Sequence, residues 1–119
     1  MFGFWRKAPI LLLTTTGRKS RRERTTPLLY LRDGENMVVV ATNDGSPQQP
    51  RWFRNLVATP RARVETNEGL LDVYACTATG DERALLWPRL LAIYRNYERD
   101  RQRTERELPV VLLERRRHE

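Results

Sequence analysis

Two turn signals constrain the fold of this chain more than any other feature of its sequence. They are Asp33-Gly34 and Asn67-Glu68-Gly69, and each stands between two short runs rich in apolar and β-branched residues. Such turns are typical of β-hairpins, because Gly readily adopts the positive φ angles of a tight chain reversal. We therefore predict two pairs of antiparallel strands, at residues 25–32 with 37–42 and at residues 63–66 with 70–77.

Two more strands and a short helix are indicated elsewhere in the chain. Residues 10–15 and 108–113 are apolar and contain β-branched residues, which predicts a strand at each place. Pro50 suits the first turn of a helix and Pro60 cannot continue one, so a two-turn helix is predicted over Arg51–Ala58. The polar stretches between these elements are predicted to be loops.

A longer helical region is predicted after Thr79. Thr79 and Glu82 have the spacing of a capping box. Pro88 lies within the region and is predicted to kink the helix or to divide it in two. One helical face then carries the larger apolar and aromatic residues, namely Leu86, Leu90, Ile93, Tyr94 and Tyr97.

Together these elements imply an α+β fold in a single domain over residues 1–119. Strands joined by hairpins, with helices inserted between them, favour an antiparallel sheet that closes on itself. We expect a small barrel of about six mainly antiparallel strands. The charged residues 114–119 are expected to form a tail after the last strand.

Few kinds of site are compatible with the composition. The chain has one cysteine, Cys76, and one histidine, His118, so a disulfide within it and a zinc site built on Cys and His are excluded. No metal site is expected, and a Ser-His-Asp triad would need a histidine from the charged tail. If the protein is an enzyme, a bound cofactor is therefore expected to supply the difficult chemistry.

The hydrophobic runs are short. A membrane-spanning helix needs roughly 20 apolar residues, whereas the longest apolar runs here are residues 10–13 and 37–41. The run after Pro9 is also too short for the core of a signal peptide. We expect a cytoplasmic protein without a transmembrane segment; a peripheral membrane contact stays compatible with the sequence.

Positive charge is concentrated near the N-terminus. Residues 1–24 carry seven Lys or Arg and one acid, whereas residues 25–119 carry fifteen Arg and fourteen acids. Within TTTGRKS (residues 14–20), Gly17 lets the backbone approach an anion closely among cationic side chains. The Gly-x-x-x-x-Gly-Lys spacing of a P-loop is absent. An anion-binding turn and a solvated basic hairpin are both compatible with this pattern.

Two other groups of residues are candidates for a site. The loop that enters the predicted helix at Arg51–Ala58 could bind an anion or a ring oxygen, although Trp52 and Phe53 could equally fill the core, and for Phe53 the core is the better interpretation. Tyr94 and Tyr97 lie three apart, and such a pair is more often part of a core than catalytic.

Taken in order, six stretches resemble the deazaflavin-dependent nitroreductase family, whose coenzyme is F420. The resemblance spans about residues 10–114 and implies a split β-barrel like that of flavin-nucleotide oxidases. It also implies hydride transfer from reduced F420 to a nitroaromatic, quinone or similar planar acceptor. The six stretches are LLLTTTGRKS (11–20), TTPLLYLRDG (25–34), VVVATNDGSP (38–47), PRWFRNLVATP (50–60), GDERALLWPRLLAIY (80–94) and ELPVVLLE (107–114).

The same resemblance implies roles for particular residues. The phosphate and the start of the polyglutamate tail would be held by Arg18, Lys19, Ser20 and Arg24. The deazaflavin ring would lie beside Ala41, Thr42, Asn43 and Gly45, with Trp52 and Asn55 completing the wall. Tyr94 and Tyr97 would border the acceptor pocket, and one of them, or a water, would donate the proton that follows the hydride.

The chain departs from the family pattern at three positions that bear on the site. Arg21 stands where a Gly is usual, Gln49 where a His precedes the helix-opening Pro, and Asp100 where a third Tyr is frequent. We expect the turn to have shifted so that Arg21 occupies an ordinary backbone region and adds a cation beside the tail. The other two differences fall on the acceptor side, so the acceptor is not determined by the resemblance.

Two other classes of function are also compatible with the sequence. A non-catalytic split barrel that stores or carries a deazaflavin or flavin is compatible with the altered acceptor-side residues. A basic nucleic-acid module has the charge alone in its favour, because the aromatic residues do not alternate with the Arg cluster as in a base-stacking surface. A homodimer is compatible with all three readings.

Overall fold

The computed structural model describes residues 9–116. Within them one sheet contains seven strands, and every pairing in it is antiparallel. The strands are β1 (Ile10–Thr16), β2 (Glu23–Leu29), β3 (Leu31–Asp33), β4 (Asn36–Val40), β5 (Arg61–Thr66), β6 (Gly69–Thr77) and β7 (Val110–Arg115). The helices are α1 (Arg51–Ala58), α2 (Gly80–Ile93) and α3 (Asn96–Arg103), and a 3-10 turn covers Asn43–Gly45.

The order of the strands explains why the sheet closes into a barrel. They lie in the order β2-β1-β5-β6-β7-β4-β3, so β2 and β3 are the two edges. In the chain, however, these edge strands are separated only by Tyr30. The two edges must therefore meet, and the sheet curls back on itself. The closed antiparallel sheet predicted from the sequence is confirmed.

Both predicted hairpins are present, but one predicted strand is two. Asp33 pairs with Asn36, and Thr66 pairs with Gly69, across the two turns. The expectation of one strand over residues 25–32 is wrong, because the chain turns from one edge of the sheet to the other at Tyr30. The Tyr30 N–H donates to the carbonyl of Pro9 at 2.9 Å and so continues the β1–β2 register, whereas Leu31 already pairs with Val38 of β4. This division raises the strand number from about six to seven.

The core has two layers that share strands β4 and β7. Inside the barrel, alternate residues of these strands pack with β1, β5, β6 and Leu56 of α1. The intervening residues face outward and pack against α2 and α3, with Leu86, Leu90 and Tyr97 in that second layer. Because both faces of β4 and β7 are buried, nearly every residue in the sequence of these two strands is apolar.

The helices follow the predictions except at the end of α2. Helix α1 has the predicted bounds. Helix α2 continues through Pro88 and ends at Ile93, and α3 begins at Asn96 after an extended Tyr94. The helical region is thus divided, but not at Pro88, whose ring is exposed at the surface. Thr79 occupies the predicted N-cap position, but its side chain makes no capping hydrogen bond, so the capping box is not formed.

Candidate functional site

A tightly closed turn connects β1 to β2. The Gly17 N–H donates to the carbonyl of Arg22 at 2.7 Å, and the Arg21 N–H donates to the carbonyl of Gly17 at 2.9 Å. A Cβ added to Gly17 would lie 2.6 Å from the Ser20 hydroxyl and 3.1 Å from the Arg22 carbonyl. Glycine is therefore needed here for space, because Ser20 and the returning backbone pack directly against it.

Arg21 does not occupy the ordinary backbone region expected from the sequence. Its φ angle is +62°, in the left-handed region that costs a side-chain-bearing residue about 1 kcal/mol or more. The cause is the closed turn, in which the Arg21 N–H is bound to the Gly17 carbonyl. The expectation that the turn had shifted is wrong: the backbone keeps a conformation suited to Gly, and the Arg21 side chain is exposed.

Asn55 of α1 fastens this turn to the helix. Its side-chain oxygen accepts a hydrogen bond from the Arg18 N–H at 3.2 Å, and its amide nitrogen donates to the Thr15 hydroxyl at 3.1 Å. Asn55 and Thr15 are both buried. Buried polar groups need hydrogen-bond partners, and the side chains of Asn55 and Thr15 are partners for each other. The position of the turn relative to α1 is fixed by this residue.

A groove of ≈ 600 Å³ lies between the turn and α1, and we call it the basic groove. It brings together six of the site residues expected from the resemblance, namely Arg18, Lys19, Ser20, Arg24, Trp52 and Asn55. Its remaining lining comes from Thr15, Gly17, Thr26, Arg51 and Arg54. The groove therefore presents five cationic side chains on two structural elements.

The five cations of the basic groove have no carboxylate partner among residues 9–116. The ion pairs found in that range involve five other arginines, at positions 32, 63, 83, 89 and 101. In addition, Nε of Arg54 is buried and makes no hydrogen bond. A buried donor without a partner is costly, so the position of Arg54 carries an energetic cost in the free protein.

Arg51 and Arg54 line the basic groove but were not among the site residues predicted from the sequence. Of the residues in α1, the resemblance implies roles for Trp52 and Asn55 alone. The signal was available, because Arg51, Arg54 and Asn55 have the i, i+3, i+4 spacing of one helical face. With Asn55 fastened to the basic turn, that face is directed into the groove.

The segment from Ala41 to Gln49 lies apart from the basic groove. Asn43, Asp44 and Gly45 have φ angles of +46°, +55° and +77°. A Cβ on Gly45 would lie 2.8 Å from Cβ of Arg103 and 3.0 Å from the Asp100 carbonyl, so Gly45 permits the close approach of α3. Ala41 and Gly45 are buried, and Thr42 and Asn43 complete the segment.

Arg106 holds this segment in place. Its guanidinium donates to the carbonyls of Ser46 at 2.8 Å, Thr42 at 2.7 Å and Ala41 at 3.3 Å. It also donates to the side-chain oxygen of Gln49 at 2.8 Å. Partial burial lowers the pKa of Arg106 from its ordinary value, but Arg remains charged at neutral pH. One side chain thus binds four oxygens of a loop that contains three left-handed residues.

Tyr94 and Tyr97 are in contact, although they do not share the helical face expected from the sequence: Tyr94 is the extended residue after α2, and Tyr97 belongs to α3. Their rings pack edge to face with centroids 4.9 Å apart. Tyr97 is 5% exposed and belongs to the core layer under α2 and α3. Burial, chiefly, and the neighbouring Tyr94 and Asp100 raise its pKa. Tyr94 is half-buried, and its hydroxyl accepts a hydrogen bond from Asn96 at 3.1 Å.

Asp100, at the position of the family's third tyrosine, is also buried, with 2% of its surface exposed. Its Oδ1 atom makes no hydrogen bond within the described part of the chain. The carboxyl lies one helical turn after Tyr97 and contributes to the high pKa of that phenol. The departure from the family pattern therefore places an acidic group, instead of a third phenol, next to the tyrosine pair.

A second cavity of ≈ 640 Å³ lies beside α2 and α3. Its lining includes Arg83, Trp87, Arg101, Arg106 and Leu108. Arg83 donates to the Leu108 carbonyl at 2.7 Å and lies over the Trp87 ring, 5.3 Å from its centroid. Arg101 pairs with Glu98. The cations of the second cavity are thus bound within the protein.

A family model places this arrangement among known proteins. The model of the F420H(2)-dependent quinone reductases matches residues 2–115. The chain belongs to this family. The Mycobacterium tuberculosis protein Rv3178, named for the same activity, is 39% identical to this family member over 93% of this chain and 93% of its own length. The deazaflavin-dependent family recognised from the sequence is confirmed, and coenzyme F420 is its cofactor.

Solved structures agree on the fold of this quinone reductase family member. An F420-H2-dependent reductase, FDR-A, matches with a TM-score of 0.81 at 34% identity, over 89% of this chain and 94% of that chain. A structure described as a domain-swapped dimer has a TM-score of 0.82 at 34% identity, over 89% of this chain and 80% of that chain. An FAD-binding protein from Mesorhizobium loti shares the fold alone, at 12% identity and a TM-score of 0.65 over 98% and 85% of the two chains. The predicted flavin-oxidase-like split barrel is confirmed.

The basic groove fits the anionic tail of F420, which consists of a phosphodiester followed by glutamate carboxylates. The donor set is suitable, because cations and a hydroxyl recognise such oxygens, and the buried Nε of Arg54 is without a partner. Among residues 9–116 there is no cluster of His, Cys, Asp and Glu that could hold a metal ion, and no helix long and apolar enough to cross a membrane. His118 lies outside the described residues.

Proposed function

We propose that this protein transfers a hydride from reduced F420 to a quinone, a nitroaromatic or a similar planar acceptor. The basic groove is the observation that carries the proposal. Its five cations have no carboxylate partner among residues 9–116 and match the anionic tail of the family's cofactor. The activity named for the family supports the quinone, and the nitroaromatic is the further step of the proposal.

The proposed binding roles follow from the two parts of the cofactor. Arg18, Lys19, Ser20 and Arg24 hold the tail in the basic groove, with Trp52 and Asn55 as part of the wall. Asn55 acts largely by positioning, since it binds the turn itself. The ring lies beside Ala41, Thr42, Asn43 and Gly45. These four line neither the basic groove nor the second cavity, so the ring extends beyond the groove that holds the tail.

Reduced F420, when bound, supplies the hydride. The protein contributes by orienting the reactants and by keeping water away. A proton must follow the hydride to the acceptor, and we assign its donation to Tyr94. The Tyr94 oxygen accepts from Asn96, which leaves its own O–H free to donate. Tyr97, buried and with a raised pKa, stays neutral and supports the Tyr94 ring from its edge.

The acceptor assay tests the reaction. Wild-type protein is mixed with reduced F420 and either a quinone or a nitroaromatic, and the return of F420 fluorescence is followed. We expect oxidation of F420 in step with reduction of the acceptor. If the protein binds F420 but accelerates no acceptor reduction, it is the non-catalytic carrier instead.

The two tyrosines are tested by removal of each hydroxyl. Tyr94→Phe is expected to lower kcat at least tenfold, in the range of general acid catalysis, with F420 affinity unchanged. Tyr97→Phe serves as the matched control and is expected to lower kcat less than threefold. A larger loss in Tyr97→Phe than in Tyr94→Phe would reverse the assignment.

The remaining parts of the proposal concern partners and location. The partner is a small-molecule acceptor, and the match to a domain-swapped dimer supports a homodimer, which sedimentation analysis would detect. We assign the protein to the cytoplasm, as expected from the short hydrophobic runs of its sequence. Nucleic acid is not an expected partner, and a DNA or RNA shift at physiological salt would contradict this.

A further inference from the structure

The basic groove contains two groups of cations on two structural elements. One group, Arg18, Lys19 and Arg24, belongs to the turn and its flanking strand, and the resemblance to the family already assigns it to the tail. The other group consists of Arg51 and Arg54 on α1, and we call it the α1 pair. The roles implied by the resemblance do not include the α1 pair.

No ion pair within the described part of the chain accounts for the position of the α1 pair. Neither residue has an ion pair with a carboxylate within residues 9–116. Arg54 is half-buried, and its Nε is buried without a hydrogen bond. Arg51 is exposed, and both arginines line a groove that already contains three other cations. Like charges in one groove repel each other in the free protein. An anion in the groove would offset this repulsion.

The number of cations also exceeds what one phosphodiester requires. A phosphodiester carries a single negative charge, and the turn already offers three cations together with the Ser20 hydroxyl. Two further arginines on a separate element therefore suit a second anionic centre. In the cofactor's tail, the centres that follow the phosphodiester are the glutamate carboxylates, and the guanidinium fork of Arg matches a carboxylate in two-point contact.

We propose that Arg51 and Arg54 bind the glutamate carboxylates of the F420 tail, so that this protein discriminates between tails of different length. The proposal rests on the proposed function, since it requires F420 to bind in the basic groove. It adds a selectivity to that function: the turn recognises the phosphodiester and the start of the tail, which all forms share, and the α1 pair recognises the part that varies.

Direct binding measurements test the proposal without any turnover. Oxidised F420 with one glutamate and oxidised F420 with several glutamates are titrated by fluorescence into wild-type protein and into Arg51→Ala, Arg54→Ala and Arg54→Lys. Arg99→Ala is the matched control, because Arg99 is an exposed arginine of α3 that lines neither cavity. Each titration is repeated at higher salt, and melting curves are recorded with and without F420.

The expected pattern depends on tail length. Arg51→Ala and Arg54→Ala should each weaken the long-tailed form at least tenfold and the short-tailed form less than threefold. Arg54→Lys keeps the charge but lacks the guanidinium fork that makes a two-point contact with a carboxylate. It should recover less than half of the lost binding free energy. Affinity of the alanine variants should also depend less on salt, since fewer charges take part. Arg99→Ala should stay within twofold of wild type for both forms.

Three results would overturn the proposal. The α1 variants could match Arg99→Ala for both forms, or they could lose both forms equally, which would assign the pair to the phosphodiester. They could also melt well below wild type in the absence of F420, which would show a structural role. If wild-type protein itself fails to bind F420, the proposed function fails, and this outcome is distinct from the other three.

Discussion

The basic groove and the second cavity differ in how they use arginine. Their volumes are similar, at ≈ 600 and ≈ 640 Å³, and cationic side chains line both. In the second cavity the arginines bind carboxylates, backbone carbonyls or an aromatic ring of the protein itself. In the basic groove none of the five cations has a carboxylate partner within residues 9–116.

This difference shows that a count of charges does not locate a site. An arginine whose donors are bound by the protein is part of the framework, and its removal should change stability. An arginine that lines a groove and whose donors lack protein partners has capacity for a ligand there, and its removal should change binding. Arg106 is the clearest example of the first kind, and Arg54 of the second. The predictions below test this division.

The largest effect is expected from removing two cations of the turn together. If each charge-assisted contact with the tail contributes about 1.5 to 3 kcal/mol, Lys19→Ala combined with Arg24→Ala should weaken F420 binding by more than about a hundredfold. Each single variant should lose roughly tenfold to a hundredfold. Fluorescence titration measures the affinities. Arg101→Ala in the second cavity is the control, and an equal loss in that variant would end the distinction between the two regions.

Arg106→Ala should have its main effect on stability. The variant removes a partner from the carbonyls of Ala41, Thr42 and Ser46, and unsatisfied acceptors near the interior are costly. We expect the free energy of unfolding to fall by roughly 2–4 kcal/mol, measured by denaturant titration. Arg106→Lys keeps the charge but cannot reach all four oxygens, so it should restore only part of the loss. A variant as stable as wild type would show that the loop holds its shape unaided.

The elements that the sequence predicted correctly depend on interactions between residues close together in the chain, and those it missed depend on residues far apart in the chain. The hairpin at Asp33-Gly34 and the bounds of α1 were predictable, because Gly and Pro act on their own backbone. The division between β2 and β3 at Tyr30 was not predictable from the sequence. It arises because β2 pairs with β1, whereas β3 pairs with β4. No Gly or Pro marks the end of α2 at Ile93, so this end was not predictable either. Pro88 is tolerated within α2 because it lies on the exposed face, whereas Leu86 and Leu90 on either side of it pack in the core.

The part of the site that is built from neighbouring residues in the sequence was predictable. TTTGRKS marked the turn, because glycine and the cations are adjacent in sequence. Arg51 and Arg54 gain their role only when Asn55 draws α1 against the turn, and that contact joins residues almost forty positions apart. The conformation of Arg21 was predicted wrongly, because a preference for unstrained backbone was weighed without the hydrogen bond that closes the turn.

Arg21→Gly is expected to have a smaller effect, and on stability alone. Glycine adopts the observed φ of +62° without the penalty that arginine carries, so the free energy of unfolding should rise by about 1 kcal/mol. Because Arg21 does not line the basic groove, F420 affinity should change less than threefold for both tail lengths. Denaturant titration and F420 titration measure the two effects. A loss of long-tail affinity greater than tenfold would restore Arg21 as a tail ligand.

The most direct test of the account is a crystal structure of the protein with F420 bound. We expect the phosphodiester within hydrogen-bonding distance of Lys19, Ser20 or Arg24, and glutamate carboxylates beside Arg51 and Arg54. The arginines of the second cavity should keep their present partners. A tail that lies in the second cavity, or outside both cavities with the basic groove empty, would contradict the claim that the unpaired cations of the basic groove mark the cofactor site.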